Sequence, residues 1–78
     1  MNKSQFEREM HRAAAMSAAG DLPDYWAGYV RGLRRAFHGE QFGTDAEHAL
    51  WQAAADSDDD QRRERGAGYR AGLAAGGE

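Results

Sequence analysis

One short segment occurs twice in this chain of 78 residues, and the repeat restricts the folds that the chain can adopt. Residues 27–33 read AGYVRGL, and residues 67–73, at an offset of 40 positions, read AGYRAGL. The same offset relates residues 13–15 to residues 53–55 without any gap. A period of this length is typical of proteins built from repeated helix pairs. We therefore expect an internal repeat that relates residues 4–35 to residues 44–75.

Local signals predict where the helices begin and end. Three hydroxyl residues precede an acidic residue by three positions, which is the pattern of an N-terminal capping box: Ser4 with Glu7, Thr44 with Glu47, and Ser57 with Asp60. Pro23 suits the first turn of a further helix. These signals predict helices at about 4–19, 23–38, 44–55 and 58–75. We expect one all-α domain over residues 1–78, a small four-helix domain built from two similar helical hairpins at about 4–39 and 44–77.

The repeated segment places two glycines one turn apart in the second helix and again in the fourth. They are Gly28 and Gly32, then Gly68 and Gly72. A glycine inside a helix costs ~1 kcal/mol relative to alanine, so paired glycines indicate that two backbones approach closely. We expect the second and fourth helices to touch along these residues.

The first and third helices carry apolar stripes at corresponding positions. The stripes are Phe6, Met10, Ala13 and Ala14 in the first helix, and Ala46, Leu50, Ala53 and Ala54 in the third. Their spacing fits one face of a helix with 3.6 residues per turn. The spacing predicts that both stripes face the core, with Trp51 at the edge of the second.

Composition limits the compartment and the size of the core. The chain has no cysteine, so it has neither disulfides nor thiolate metal ligands, and a reducing compartment suits it. No apolar run approaches the length of a membrane span or of a signal peptide. A domain of this size is near the lower limit for a stable core. We expect a cytoplasmic protein without membrane contact, either a monomer or a weak homodimer.

The sequence offers no recognisable catalytic or metal site. His11, His38 and His48 do not have the spacing of a zinc motif, and the serines suit caps or close packing. No phosphate-binding glycine loop or nucleophile elbow occurs. We therefore expect no enzyme activity, no cofactor, no metal and no small-molecule substrate.

The charges are segregated along the chain, although the net charge is only −3. Residues 41–60 contain no Lys or Arg. The acidic candidate residues for binding a partner are Asp56, Asp58, Asp59, Asp60 and Glu64. Capping of the fourth helix explains one or two of them. The remaining carboxylates would suit a basic, nucleic-acid-guiding surface on a partner protein.

A second hypothesis uses the basic face of the second helix. Arg31, Arg34 and Arg35 could lie along DNA phosphates, as in a small helical transcriptional regulator. The other interpretation is a solvated face opposite acids such as Asp24. The net negative charge weighs against direct nucleic-acid binding. A structural or assembly protein is a third possibility.

Residues 28–44, GYVRGLRRAFHGEQFGT, and residues 47–51, EHALW, resemble small proteins of phages and other mobile elements. Among these, the chain is similar to anti-CRISPR inhibitors of type I-C systems, over roughly residues 25–73. The resemblance implies a stoichiometric inhibitor that binds protein subunits of the CRISPR surveillance complex, Cascade, and keeps it from target DNA. It supplies no residue-by-residue motif, so the candidate site stays with the charged residues above.

Overall fold

The computed structural model describes residues 1–20, 22–39 and 44–76. In this part of the chain there are four α-helices and no strand: α1 (Lys3–Ala18), α2 (Pro23–His38), α3 (Asp45–Ala54) and α4 (Asp60–Gly76). The prediction of a small all-α four-helix domain is confirmed. No helix in these ranges is both long enough and apolar enough to span a bilayer.

The cap of α1 lies two residues before the predicted one. The backbone N–H of Gln5 donates to Oδ1 of Asn2 at 2.8 Å, and the N–H of Asn2 donates to Oε1 of Gln5 at 3.0 Å. This reciprocal pair is a capping box, so the predicted box of Ser4 and Glu7 is wrong. Asn is among the strongest N-cap residues, and Gln at the third helical position completes the box.

The starts of α3 and α4 differ in how well they match the prediction. Thr44 caps α3 as predicted, because its hydroxyl accepts from the N–H of Glu47 at 3.1 Å. At α4 the cap is Asp59, whose carboxylate accepts from the N–H of Arg62 at 3.0 Å. Ser57 accepts from the N–H of Asp59 instead. The predicted cap by Ser57 is therefore wrong, and Asp59, one of the acidic candidate residues, has a structural role.

The main helix pairing joins α2 to α4, as the glycines predicted. A Cβ atom added to Gly28 would overlap the carbonyl oxygen of Arg65, and one added to Gly32 would overlap that of Tyr69. Because residue numbers rise together on both sides of the contact, the two helices run parallel. The helices approach so closely that only glycine fits at these positions.

The contact is reciprocal. A Cβ atom on Gly68 would overlap the carbonyl oxygen of Tyr25, and one on Gly72 would overlap that of Tyr29. The 40-residue offset therefore relates the contacts themselves. Gly68 is equivalent to Gly28, and Tyr25, which Gly68 meets, is equivalent to Arg65, which Gly28 meets. This arrangement has the form of a two-fold axis between α2 and α4.

The core is small and lies mainly between α1, α2 and α4. Its buried hydrophobic side chains are Ala13, Trp26, Tyr29, Leu33 and Tyr69. Phe6 of α1 stacks on Phe37 of α2 with ring centres 4.2 Å apart. The prediction that the stripe of α1 faces the core is correct for Phe6, Met10 and Ala13, whereas Ala14 is exposed.

The orientation of α3 was predicted wrongly. Ala46, Leu50 and Ala53 are exposed, with Leu50 exposed to 70%, and only Ala54 of the predicted stripe is half-buried. Trp51 contacts α4 instead, where its ring stacks on that of Tyr69. Burial of an indole removes more apolar surface from water than burial of alanines, so Trp51 determines which face of α3 packs inward.

Candidate functional site

The acidic candidate residues Asp56, Asp58, Asp59 and Asp60, which we call the acidic run, lie around the start of α4. Several of their carboxylates have partners within the chain. Asp59 caps the helix, and Asp60 forms an ion pair with Arg63 one turn further on. Asp56 lies 3.2 Å from the guanidinium of Arg70. Arginines of α4 therefore lie among the predicted acidic residues. The carboxylates are clustered in the sequence, but their charge is partly neutralised by these arginines in the folded chain.

Among the residues that the structure describes, Asp58 and Glu64 of the predicted binding residues have no such partner. Asp58 is exposed at the connection between α3 and α4, and no described residue forms an ion pair or hydrogen bond with its carboxylate. Glu64 is half-buried on α4, one turn after Asp60. Asp58 is thus the residue of the run whose charge is most available to a partner.

The arginines of the second hypothesis are divided between two environments. Arg31 forms an ion pair with Glu47 at 2.6 Å, and its guanidinium carbon lies 4.9 Å from the centre of the Trp51 ring. Arg35 forms an ion pair with Asp45 at 3.0 Å, and its side chain is only 10% exposed. Both arginines face α3. Arg34 is exposed.

These ion pairs attach α3 to α2 across the repeat. A partly buried arginine that is paired with a carboxylate must lose that partner before it can contact a phosphate. The arrangement suits a phosphate-binding stripe poorly, and it also differs from the predicted solvated face, because the side chain of Arg35 is only 10% exposed. The acids that pair with these arginines belong to α3, whereas Asp24 pairs with Arg65 of α4 at 3.2 Å.

A polar contact that the sequence did not predict lies beneath α3. Nδ1 of His48 is 2.6 Å from the hydroxyl of Tyr69, which is 2% exposed. Burial raises the pKa of the Tyr69 hydroxyl, and the positive charges of Arg35 and Arg31 offset only part of this effect. The hydroxyl and the ring nitrogen share one hydrogen bond, and which of the two atoms donates is set by the tautomer of His48. The spacing of His48 and Trp51, one turn apart, is the only sequence signal for this cluster.

An open groove separates the second half of α3 from the first half of α4. Its volume is about 480 Å³, and it is lined by Leu50, Trp51, Ala53, Ala54, Ser57, Arg62 and Arg65. On the outer side of α3, the exposed residues Ala46, Ala49, Leu50 and Ala53 form an apolar stripe, which we call the α3 face. The groove and the α3 face are contiguous through Leu50 and Ala53. Asp58, which is exposed, directly follows the lining residue Ser57 in the chain.

His38 and His48 lie against aromatic side chains of the neighbouring helices. Over residues 1–20, 22–39 and 44–76, no group of three or more His, Asp or Glu side chains is placed to hold a metal ion. His38 packs edge-on against Phe6 and Phe37, while His48 contacts Tyr69. In the described structure, His38 is thus a packing residue, and His48 forms a hydrogen bond.

The chain is thus a small all-α protein in which α2 and α4 pack through glycines. The α3 face is exposed and apolar, and the nearby start of α4 carries both acidic and basic side chains. No protein-family model, curated protein or solved structure matches the chain. Residues 40–43 of the stretch that carries the resemblance lie outside the described residues. The surfaces themselves are therefore the basis for a functional proposal.

Proposed function

We propose that the chain is a non-catalytic inhibitor that binds protein subunits of a type I CRISPR surveillance complex and blocks its binding to target DNA. The class of partner comes from the resemblance of residues 25–73 to type I-C anti-CRISPR proteins. The observations that carry the proposal are an open groove with the exposed side chain of Leu50 in its lining and, directly after the lining residue Ser57 in the chain, the exposed Asp58. An exposed apolar patch with polar residues around it is typical of a protein-binding surface.

The mechanism that we propose is competition for a basic surface. A protein that guides DNA presents Lys and Arg side chains to the phosphates, and carboxylates on an inhibitor can occupy the same side chains. Asp58 would supply one such carboxylate, with Asp59 and Asp60 adding negative potential nearby. Leu50 and the groove would supply an apolar contact that slows dissociation of the complex. The site of action would be the cytoplasm of a bacterial host.

The pairing of the α2 arginines favours this proposal over a DNA-binding regulator. Arg31 and Arg35 both face carboxylates of α3, so contact with DNA would require two ion pairs to break. If the protein alone bound DNA, its affinity would fall steeply with salt concentration. We expect no shift of duplex DNA by the protein alone at low salt.

The proposal is tested by co-elution of the purified protein with a purified type I-C surveillance complex. We expect a stable complex, and Asp58→Lys should weaken it by about tenfold or more, the size of effect found when one partner of a close interfacial charge pair is lost. The matched control is Glu7→Lys, which makes the same charge change at an exposed position of α1. Absence of association at about 10 μM, or equal weakening by both variants, would contradict the proposal.

A further inference from the structure

We propose that α3 is a local unfolding unit, which detaches from α2 and α4 and loses its helical structure while the α2–α4 pair stays folded. This inference concerns the chain alone and does not rest on the proposed function. It begins from the pattern of burial. No residue of α3, which the structure describes in full, is buried, whereas α1, α2 and α4 each have buried residues. Segments with few buried apolar contacts open at a lower free energy than the core of a protein.

The length of α3 makes its helical structure dependent on docking. The helix has 10 residues. Isolated helices shorter than about 12 residues are marginal in water, because few backbone hydrogen bonds offset the cost of nucleation. We therefore expect detachment and loss of the backbone hydrogen bonds of α3 to occur together.

The apolar contacts that dock α3 are few. The ring of Trp51 stacks on that of Tyr69 with centres 5.6 Å apart, while Leu50, the other large apolar residue of α3, is exposed. At the end of α3 the approach is closer, because a Cβ atom on Gly66 of α4 would overlap the backbone of residues 54–55. Docking thus depends on one aromatic ring and on one close contact at the C-terminal end of the helix.

Polar contacts hold the N-terminal half of α3. Glu47 pairs with Arg31 of α2 at 2.6 Å, and both side chains of this pair are partly open to solvent. Asp45, which pairs with Arg35 at 3.0 Å, is exposed. Attraction between exposed charges is weak and is screened by dissolved salt. The docking of this half of α3 should therefore weaken as the ionic strength rises.

The detached state would alter the candidate site. Leu50, Trp51, Ala53 and Ala54 of α3 line the groove. When α3 detaches, the groove loses this wall, and Tyr69, which is buried beneath α3, becomes accessible. The groove is thus present only while α3 is docked, so conditions that release α3 also remove the groove.

The first test is native-state amide hydrogen exchange of the full chain, followed by NMR at increasing urea concentration below the unfolding transition. We expect the amides of Ala49, Leu50 and Trp51 to exchange faster than those of Tyr29 and Leu33 in α2. Their exchange should also depend less on urea, because local opening exposes less surface than global unfolding. Raising NaCl from about 0.05 M to about 1 M should speed exchange in α3 by about twofold or more relative to α2. Equal rates and equal urea dependence in the two helices, or no such effect of salt, would overturn the proposal.

The second test compares two variants that each remove one carboxylate from an ion pair. Glu47→Gln removes a partner of Arg31 and should speed exchange in α3 by about two- to fivefold relative to α2, the range that corresponds to one exposed ion pair. The matched control is Asp24→Asn, because Asp24 pairs with Arg65 and joins α2 to α4. It should not speed exchange in α3 relative to α2. Equal effects of the two variants on α3 would contradict the role of the ion pair with α2.

A third measurement uses the close contact at the end of α3. Gly66→Ala should release α3, because the added Cβ atom would overlap the backbone of residues 54–55. We expect the amides of α3 to lose their protection from exchange, whereas those of Tyr29 and Leu33 remain protected. Gly28→Ala strains the α2–α4 contact and should instead lower protection in both helices. Loss of protection in α2 as large as that in α3 for Gly66→Ala would show that α3 does not unfold separately.

Discussion

Gly28 in α2 lies directly against the main-chain carbonyl group of Arg65 in α4. Forty positions further along the chain, Gly68 makes the equivalent contact with Tyr25. Because both helices place glycines at the contact, their backbones approach more closely than side chains would allow. The sequence repeat therefore corresponds to repeated contacts between α2 and α4, and this parallel helix pair is the main packing contact of the protein.

The α2–α4 contact predicts whether replacing a glycine raises or lowers the free energy of unfolding. Helix propensity alone would make Gly28→Ala stabilising by about 1 kcal/mol. A Cβ atom at this position would instead overlap the backbone of Arg65. Overpacking costs about 1 to 3 kcal/mol, and overlap with backbone, which cannot rotate away, belongs at the upper end of this range. We expect Gly28→Ala to lower the free energy of unfolding, measured by urea denaturation and circular dichroism.

A control at an exposed position separates packing from propensity. Ala67→Gly, on the exposed side of α4, should cost only about 1 kcal/mol. Gly68→Ala should behave like Gly28→Ala, because its Cβ atom would meet the backbone of Tyr25. A stabilising Gly28→Ala would show that α2 and α4 are not in backbone contact.

Two neighbouring aspartates are expected to differ in their effect on stability. Asp59 caps α4 through the N–H of Arg62, and loss of an N-cap costs about 1 kcal/mol. Asp58 makes no such bond, so Asp58→Ala should change the stability by less than about 0.5 kcal/mol. Thermal or urea unfolding of the two variants measures this difference. Equal costs would mean that the cap is assigned to the wrong residue.

The buried Tyr69 predicts a loss of stability at alkaline pH. Its pKa is raised above the ordinary value of about 10, so the native state holds this proton more tightly than the unfolded chain. The stabilisation from this proton is complete below about pH 10 and disappears as the pH rises through the pKa of the folded state. We expect urea unfolding at pH 8 and at pH 11 to show a larger loss for the natural chain than for Tyr69→Phe.

The same variant tests the contact with His48. At neutral pH, Tyr69→Phe should cost about 1 kcal/mol, because it removes the hydrogen bond between the tyrosine hydroxyl and Nδ1 of His48 and leaves that nitrogen without this partner. The cost should shrink as the pH is raised, because the natural chain then loses the advantage of holding the tyrosine proton. A cost that grows with pH would contradict the assigned direction of the pKa shift.

Short-range signals and the repeat predicted much of the fold. The bounds of α2 match the prediction, Thr44 caps α3, and α2 meets α4 through the glycines. These features depend on local chemistry or on a pattern of small residues, both of which are visible in the sequence. The cap of α1 was misplaced because Asn2 with Gln5 and Ser4 with Glu7 both fit the pattern.

The orientation of α3 and the pairing of charges could not be predicted in the same way. The repeat suggested that Leu50 packs as Met10 does, but the repeat carries Trp51 where the first hairpin has His11. The large ring turns α3 so that Trp51 meets Tyr69. Which acid faces which arginine depends on this rotation, so the partners of Arg31 and Arg35 followed only from the structure.

The most direct test of the proposed function is target-DNA binding by a type I-C surveillance complex in the presence of the purified protein. We predict that DNA binding falls as the protein is added and reaches its minimum near a fixed stoichiometric ratio. Asp58→Lys should require about tenfold more protein, whereas Glu7→Lys should act like the natural chain. DNA binding that stays unchanged at a large excess of the protein would contradict the account.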